Sequence, residues 1–348
     1  MSEFDLIATY FTWENPSQYS SNTSDNTSSN IIKNVGDDAA VLSLAPNQQL
    51  VTSIDTLVSG VHFPSNTSPY DIGHKALAVN LSDLAAMGSK PEWFTLALTL
   101  PEINHKWLSE FSRGLKTLAE EAGISLVGGD TTSGPLAISI QVMGSVTSGK
   151  ALYRNGAKQG DKIYVSGTLG DGAVGLALLQ KTLTSKTELT ETEVDYCQQR
   201  LNRPTARLNE SDLIKDYASA CIDISDGLLQ DLSHILKQST LSHSELNSDQ
   251  IIGAELDLTQ IPFSKVLKKI NNKQALEFAL TGGDDYELLF TIPEIIEAEF
   301  LETYSSSECR FSCIGTITNQ KGIIHTNNNS FNNLFNNSLN NMGFNHFS

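Results

Sequence analysis

The sequence predicts an α+β protein of two domains, and three observations carry this prediction. The chain has 348 residues, which is more than a single hydrophobic core usually organises. Stretches that alternate with period 2 are interleaved with stretches of helical spacing, and the pattern restarts near residues 148–150. We therefore predict an N-terminal domain over residues 1–148, a sheet layer of order ββαβαββ, and a C-terminal α/β domain over residues 149–348.

The elements of the first domain follow from apolar spacing and from residues that end helices and strands. Gly88 and Gly123 close the two long helices, as glycine commonly does, and Pro101 ends a strand. Residues 15–30 are rich in Ser, Thr and Asn and are expected to form a surface loop. The predicted elements are a helix over 4–11, strands over 39–44 and 50–55 joined as a hairpin, a helix over 71–87, a strand over 93–100, a helix over 104–122, and strands over 124–127 and 136–146.

The second domain also alternates strands with helices, and its tail from 327 to 341 is Asn-rich and expected to be irregular. The predicted strands cover 162–166, 218–224, 251–256, 286–291 and 311–317. The first predicted helix follows the glycine-rich loop 167–175 and ends at about 179, and the others cover 190–199, 206–217, 228–237, 273–279 and 293–304.

Composition and charge exclude several classes of function. The formal net charge is −17, and no basic stripe is available to neutralise nucleic-acid phosphates. No stretch approaches the roughly 18 to 20 apolar residues of a membrane span, and the N-terminus lacks the features of a signal peptide. The four cysteines are scattered and form no C-x-x-C pair, which predicts reduced thiols and a cytoplasmic protein.

Acidic residues recur where predicted apolar elements end. Each one alone has a structural alternative: a turn, a helix cap, or a buried acid held by backbone N–H groups. Asp226, for example, could cap the helix that begins at Leu228. Together they predict a site for several Mg²⁺ ions, because each Mg²⁺ uses one or two carboxylates and completes its shell with water and substrate phosphates. These acidic residues are Asp37 with Asp38, Asp55, Asp83, Asp130, and Asp223 with Asp226.

Three other features carry weaker predictions. A G-x-G-x-x-G pattern at Gly170, Gly172 and Gly175 follows a strand, as in dinucleotide-binding folds, but no second strand ending in an acid follows it. Arg154 could bind a phosphate as a planar fork or form a surface salt bridge. His62 lies between Val61 and Phe63 and could be a core residue or a ligand-binding one.

As a set, the motifs resemble the thiamine-monophosphate kinase family, within the superfamily that includes aminoimidazole-ribonucleotide synthetase and selenophosphate synthetase. The resemblance runs from Phe4 to Phe347. The segments that carry it cover residues 36–40, 53–63, 75–88, 128–132, 154–157, 203–207, 223–228 and 282–288.

The resemblance implies an aminoimidazole-ribonucleotide synthetase-like fold, a homodimer built on the N-terminal domains, and ATP-dependent phosphorylation of thiamine phosphate to thiamine diphosphate. It also implies a role for each matching position. The implied metal ligands are Asp38, Ser53, the carbonyl of Ile54, Asp55, Asp83, Asp130, Asp223 and Asp226. The implied ATP contacts are Gly129, Asp130, Arg154 and Ser225, and the implied thiamine phosphate contacts are His62, Asp284 and Phe344.

Three positions depart from the family pattern. Ile54 stands where a second Thr is usual, Asp284 replaces a Glu, and Phe344 replaces what is often a Trp. Asp37 is left open between orienting its turn and holding a metal-bound water.

The expected chemistry is direct in-line transfer without a phosphoenzyme. No general base is expected, because the acceptor phosphate is mostly dianionic near neutral pH, with a second pKa of about 6. The alternatives are another enzyme of the superfamily, acting on an amide or a selenide, and a nucleotide or metal sensor without catalytic activity.

Overall fold

The computed structural model describes residues 3–13, 31–35, 39–184, 188–245, 251–304 and 309–326. The predictions for the 15–30 loop, for Asp37, Asp38 and Phe344, and for the 327–341 tail fall outside these residues. The chain divides into two compact units. The first comprises Met1–Leu84 and Ser89–Gly149, and the second comprises Ala85–Gly88 and Lys150–Ser348.

The first unit is a four-stranded sheet with two long helices and a small two-stranded ribbon. The sheet has the order β3-β6-β4-β5, in which β3 and β4 are antiparallel to β6 and β5 is parallel to β4. Its elements are α1 (Glu3–Tyr10), β1 (Ile31–Lys33), β2 (Val41–Leu42), β3 (Gln48–Val58), α2 (Pro69–Ala86), β4 (Lys90–Leu100), α3 (His105–Ala122), β5 (Ser125–Ser133) and β6 (Ala137–Thr147).

The predicted hairpin between the strands at 39–44 and 50–55 is wrong. The first of these is only Val41–Leu42, and it pairs with β1, where Ile31 faces Leu42. The second, β3, pairs instead with β6 along its whole length, from Gln48 opposite Thr147 to Val58 opposite Ala137. Eleven continuous residue pairs with β6 offer far more backbone hydrogen bonding than the short β2 could.

Close helix packing explains two glycines of the first unit. A Cβ on Gly73 of α2 would lie 2.2 Å from the carbonyl oxygen of Phe111, and a Cβ on Gly114 of α3 would lie 2.0 Å from that of Tyr70. The two backbones therefore meet where neither residue carries a side chain. As predicted, α3 is closed by Gly123, in the left-handed conformation with φ of 67°.

Aromatic rings fill much of the core of this unit. Trp107 stacks on Phe111 with ring centroids 5.0 Å apart, Trp13 lies 6.2 Å from Phe94, and Trp93 is buried. All three tryptophans of the chain therefore belong to the first unit.

The face of the β3-β6-β4-β5 sheet that points away from α2 is open. On β3, Leu50 and Ile54 are 51% and 62% exposed, and they alternate with residues that face α2. Thr56 hydrogen bonds to Ser139 of β6 on this open face, with 2.7 Å between the two hydroxyl oxygens. An uncovered sheet face with large apolar side chains is typical of an interaction surface.

The second unit is a six-stranded sheet of order β12-β9-β11-β7-β10-β8 with helices packed on it. Only β9 and β12 are parallel, and the other neighbours are antiparallel. Its elements are β7 (Lys162–Ser166), α4 (Asp171–Gln180), α5 (Glu191–Asn202), α6 (Leu208–Ile214), β8 (Ala220–Ile224), α7 (Leu228–Glu245), β9 (Gly253–Asp257), a 3-10 helix (Leu267–Lys269), α8 (Asn272–Thr281), β10 (Glu287–Ile292), a 3-10 helix (Glu294–Ile296), α9 (Glu297–Tyr304), β11 (Phe311–Thr318) and β12 (Gly322–Thr326).

This arrangement confirms the two-domain α+β prediction, with differences of detail. β12 was not predicted, and α7 runs eight residues beyond the predicted end at 237. Strands β8 and β10 are buried along their whole length, as expected for continuous apolar runs. Within the described residues, no helix is both long enough and apolar enough to cross a membrane.

Candidate active site

In the first unit, β3 and α2 bring four polar side chains together. Ser53 and Asp55 lie two residues apart on β3 and therefore project from the same face. The Ser53 hydroxyl donates to Oδ2 of Asp83 on α2 at 2.5 Å. The backbone N–H of Asp55 donates to Oδ1 of Asn80 at 3.1 Å, and the Asn80 amide in turn donates to the carbonyl of Ala76. The predicted ligands Ser53 and Asp83 are thus in direct contact, and the backbone of Asp55 is tied to the same helix by Asn80, a residue to which the sequence analysis gave no role.

Ile54 projects away from this cluster. Because side chains alternate along a strand, Ile54 lies on the open face while its neighbours face α2. A threonine side chain at this position would point the same way, and the role predicted for the Ile54 carbonyl stays a prediction.

Asp130 lies elsewhere in the same sheet. The strand predicted to stop at Val127 continues as β5 to Ser133, because Gly128 and Gly129 pair with Thr95 and Leu96 of β4. Asp130 pairs with Ala97, which lies opposite Ser139 on the open face. Asp130 is thus exposed on the edge strand farthest from β3 and on the face opposite Asp55.

Gly129 has a steric requirement of its own. Its φ is 156°, and a Cβ there would lie 2.0 Å from the carbonyl oxygen of Leu96. Only glycine allows the backbone to approach β4 so closely at this point.

His62 closes the turn that follows β3. Its ring Nδ1 accepts the backbone N–H of Val58 at 2.9 Å, and the backbone N–H of His62 donates to the Val58 carbonyl at 3.0 Å. The first bond fixes Nδ1 as an acceptor, so the neutral ring carries its proton on Nε2. His62 therefore has a structural role in this turn, and its contact with a substrate stays a prediction.

In the second unit, a tight turn follows the buried strand β8. Asp223 is buried near the end of β8, and Asp226 accepts a hydrogen bond from Gln230 at 2.9 Å. The backbone N–H groups of Ser225, Asp226 and Gly227 all donate to Oδ2 of Asp231, at 3.1 to 3.2 Å. Asp231 therefore accepts the three N–H groups of the turn that leads into α7.

The sequence analysis missed Asp231 because an acidic residue at this position of a predicted helix is expected to face solvent. Burial raises the pKa of its carboxyl to about 8, with the Asp223 and Asp226 carboxylates adding to the rise. The hydrogen bonds that it accepts from backbone N–H groups lower this pKa.

The segment with Asp284 is bonded directly to this turn. The N–H of Asp284 donates to the Ser225 carbonyl at 3.0 Å, and that of Tyr286 donates to the Ile224 carbonyl at 2.8 Å. Asp284 and Tyr286 have positive φ values of 66° and 51°, which cost free energy for residues other than glycine. Such strain is concentrated at functional sites, and here it sets Ser225, Asp226 and Asp284 side by side.

Two buried carboxylates hold this strained segment in place. Asp285 accepts the Gly170 N–H with both oxygens, at 3.0 and 2.8 Å. Glu287 is fully buried and accepts from Ser166 at 2.6 Å, from Arg200 at 2.9 Å, and from Nε and an Nη of Arg207 at 2.6 and 2.5 Å. Burial is the largest single influence on each guanidinium and acts to lower its pKa, but Glu287 together with Asp285 beside Arg200, and with Glu210 beside Arg207, raises the pKa of both.

The glycine pattern at 170–175 serves packing. A Cβ on Gly172 would lie 2.6 Å from the Asp284 carbonyl oxygen, and one on Gly175 would lie 2.4 Å from that of Cys197. The preceding strand β7 has antiparallel neighbours on both sides, whereas a dinucleotide-binding unit needs a parallel one. The dinucleotide-binding alternative is therefore wrong.

Arg154 is exposed, and its guanidinium forms no ion pair with any residue that the structure describes. It lowers the pKa of His234 on α7, after the larger effect of burial, whereas Asp226 raises it. Arg154 and Asp226 therefore both lie within electrostatic range of His234. The salt-bridge alternative finds no support, and Arg154 is available for a phosphate.

The donor set suits a hard cation. Carboxylate and hydroxyl oxygens predominate, as Mg²⁺ prefers. Within the described ranges, which omit residues 36–38, no group of three or more His, Cys, Asp or Glu side chains is arranged to hold a metal ion. Mg²⁺ commonly needs only one or two carboxylates besides water and phosphate oxygens. The pairs Asp55 with Asp83 and Asp223 with Asp226 fit that requirement, and their roles as ligands stay predictions.

Known families match both units of the chain. Residues 36–146 match the family described as AIR synthase related protein, N-terminal domain, and residues 158–326 match its C-terminal domain. The chain is 44% identical over 317 residues to thiamine-monophosphate kinase of Salmonella typhimurium, covering 91% of this chain and 90% of that one.

Solved structures agree with this match. The crystal structure of thiamine-monophosphate kinase from Stenotrophomonas maltophilia is 42% identical, with a TM-score of 0.77 over 85% of this chain and 91% of that one. A ThiL structure in complex with AMPPCP and TMP is 33% identical, with a TM-score of 0.69 over 84% of this chain and 88% of that one.

Proposed function

The chain belongs to the thiamine-monophosphate kinase family and carries both AIR synthase related domains, and on this premise we propose the reaction it performs. It transfers the γ-phosphoryl group of ATP to the phosphate of thiamine phosphate, which gives thiamine diphosphate and ADP. The observation that carries the proposal is 44% identity over nine-tenths of the chain to an enzyme of that name. A relative of the same fold that holds AMPPCP and TMP supports both substrates.

The chain's own residues suit a reaction without a general base. The attacking oxygen belongs to a phosphomonoester that is mostly dianionic at neutral pH. The need is therefore for positioning and for neutralisation of phosphate charge. Arg154, exposed and without an ion pair among the described residues, would bind a phosphate of the nucleotide, and Ser225 would hydrogen bond to it. Asp284, fixed by its bonds to the Ser225 turn, would contact thiamine phosphate in the second unit, and His62 is the contact proposed in the first.

In the first unit, Mg²⁺ ions would be held by Asp38, Ser53, the Ile54 carbonyl, Asp55 and Asp83, and separately by Asp130 on the opposite face of the sheet. In the second unit, Asp223 and Asp226 would hold Mg²⁺. When bound, it supplies the positive charge that a chain of net charge −17 lacks for binding polyphosphate. Gly129 would contact the nucleotide. The cytoplasmic location stays a prediction.

The thiols of Cys197 and Cys309 are poorly suited to act as nucleophiles. Burial raises the pKa of Cys197 to about 12 and that of Cys309 to about 11. Both thiols are therefore protonated at neutral pH and are poor nucleophiles. This weighs against the selenide-activating alternative.

We expect the purified chain, with ATP, Mg²⁺ and thiamine phosphate, to form thiamine diphosphate and ADP in equal amounts. Chromatography of the products measures both. Omitting Mg²⁺ with a chelator present is expected to remove the activity. ATP hydrolysis without thiamine diphosphate would contradict the proposed acceptor, and binding of ATP without turnover would favour the sensor alternative.

The transfer is expected to invert configuration at phosphorus, because one in-line displacement inverts the centre and a phosphoenzyme route would invert it twice. ATP that is chiral at the γ-phosphorus through oxygen isotopes and sulfur provides the measurement. Net retention would contradict direct transfer.

We also propose that the chain forms a homodimer through the open face of the β3-β6-β4-β5 sheet. A charge at Ile54, which is 62% exposed on this face, should disfavour burial there. Ile54→Glu is therefore expected to give a monomer by analytical ultracentrifugation. Ile295→Glu is the matched control, since Ile295 is 91% exposed in the second unit. Equal mass for the wild-type chain and Ile54→Glu would contradict the proposed interface.

A further inference from the structure

The second unit contains a large cavity that the proposed reaction does not use. It encloses about 710 Å³, within the range of about 300 to 1,000 Å³ for small-molecule sites. The wall is formed by the loop after β7, the residues after β9, the first turn of α8 and the start of β11. None of the residues proposed to bind the nucleotide, thiamine phosphate or Mg²⁺ lies in this wall.

The wall is cationic in a strongly acidic protein. Arg207, Lys268 and Arg310 line it, and none of the chain's 40 acidic residues is among the described lining residues. Arg207 is already paired with the buried Glu287. Lys268 and Arg310 are both exposed, and neither forms an ion pair with the residues that the structure describes. The neighbouring Lys269, by contrast, pairs with Glu193.

Arg310 and the apolar part of the wall are held by the backbone. The Arg310 carbonyl accepts the N–H of Gly167 at 2.9 Å, and the Pro262 carbonyl accepts the N–H of Leu169 at 3.0 Å. Leu258, Ile261 and Leu276 present buried apolar side chains to the cavity. The cavity therefore combines an apolar floor with two cations that have no ion-pair partner in the described part of the chain.

We propose that this cavity binds a small organic anion. Its apolar or aromatic body would lie on Leu258, Ile261 and Leu276, and its phosphate or carboxylate group would face Lys268 and Arg310. Both charges suit such a group, since hydrogen bonds between ionised partners are about twice as strong as neutral ones. This proposal does not depend on the proposed reaction.

The test is isothermal titration of the full chain with 1-naphthyl phosphate, without ATP or Mg²⁺. We expect one saturable event per chain. Lys268→Glu and Arg310→Glu should each weaken it by at least about tenfold, the equivalent of one lost hydrogen bond to a charged group. Lys321→Glu is the control, because it makes the same change of charge on an exposed residue outside the wall. Asp284→Asn should leave the affinity unchanged.

The outcomes distinguish binding in the cavity from binding elsewhere on the chain. Absence of binding, or an affinity that neither Lys268→Glu nor Arg310→Glu alters, would overturn the proposal. Equal weakening by Lys321→Glu would overturn it as well, by showing a general effect of net charge, and loss of binding in Asp284→Asn would place the probe at the thiamine phosphate contacts instead. Inorganic phosphate should bind at least about tenfold more weakly, because it leaves the apolar floor uncovered. Equal affinity would overturn the role given to Leu258, Ile261 and Leu276.

Discussion

Replacing Glu287 with glutamine is expected to lower the free energy of unfolding of the second unit by about 3 to 5 kcal/mol, because removing one partner of a buried ion pair leaves the other charge uncompensated. Here one fully buried carboxylate accepts hydrogen bonds from two guanidinium groups, Arg200 and Arg207. Both arginine side chains are themselves nearly buried, at 12% and 15% exposure. Glutamine keeps the shape of the side chain, but it offers one neutral amide oxygen where glutamate offers two charged carboxylate oxygens.

Urea unfolding followed by far-ultraviolet circular dichroism measures this loss, and hydrogen exchange over β10 and β7 locates it. Glu294→Gln is the control, because Glu294 also pairs with a cation, Lys162 at 3.1 Å, but its side chain is 70% exposed. The control is expected to cost no more than about 1 kcal/mol. A similar small cost for Glu287→Gln would show that the buried network contributes little.

Replacing Asp55 with alanine is expected to abolish turnover while the fold survives. The Asp55 side chain projects from the same face of β3 as Ser53, which hydrogen bonds to Asp83, while the backbone N–H of Asp55, which the substitution keeps, donates to Asn80. The loss in kcat should exceed the roughly 10- to 100-fold that mutation of an outer-shell partner of a metal ligand typically costs. Asn80→Ala should fall in that lower range, since Asn80 orients the Asp55 backbone and supplies no predicted ligand.

Steady-state rates over a range of Mg²⁺ concentrations make the comparison, with circular dichroism to verify folding. Glu102→Gln serves as the control, because Glu102 is exposed in the loop before α3. Wild-type rates for Asp55→Ala at saturating Mg²⁺ would remove Asp55 from the set of metal ligands.

Elements with a strong internal signal were predictable from the sequence. The helices α2 and α3 combine eighteen residues of regular spacing with glycines at their ends, and β4 and β6 alternate along eleven residues. Strand β1 has only three residues, too few for any periodicity. The pairing of β3 with β6 depends on contacts between residues about ninety positions apart, and adjacency in the chain wrongly favoured a hairpin.

The sequence points to candidate site residues where an acid stands out beside apolar residues, and it gives no such signal for acids at ordinary positions of helices and strands. Asp55, Asp83, Asp223 and Asp226 stood out from their apolar surroundings. Asp231 occupies an ordinary helical position, and Glu287 occupies an ordinary alternate position of a strand. Only the structure shows that both are buried acceptors. Asp231 accepts the backbone N–H groups of residues 225–227, and Glu287 accepts from Arg200, which also donates to the Asp285 carbonyl. The place of Asp130 on the opposite sheet face follows from register, which spacing alone does not reveal.

The uneven distribution of tryptophan gives this protein a built-in optical label. Trp13, Trp93 and Trp107 all lie in the first unit, in contact with its aromatic core or buried within it. The second unit has no tryptophan. Intrinsic tryptophan emission therefore reports the melting of one unit alone, whereas circular dichroism reports both. A denaturation midpoint that differs between the two signals would show that the units unfold in separate steps, without any dye or engineered probe.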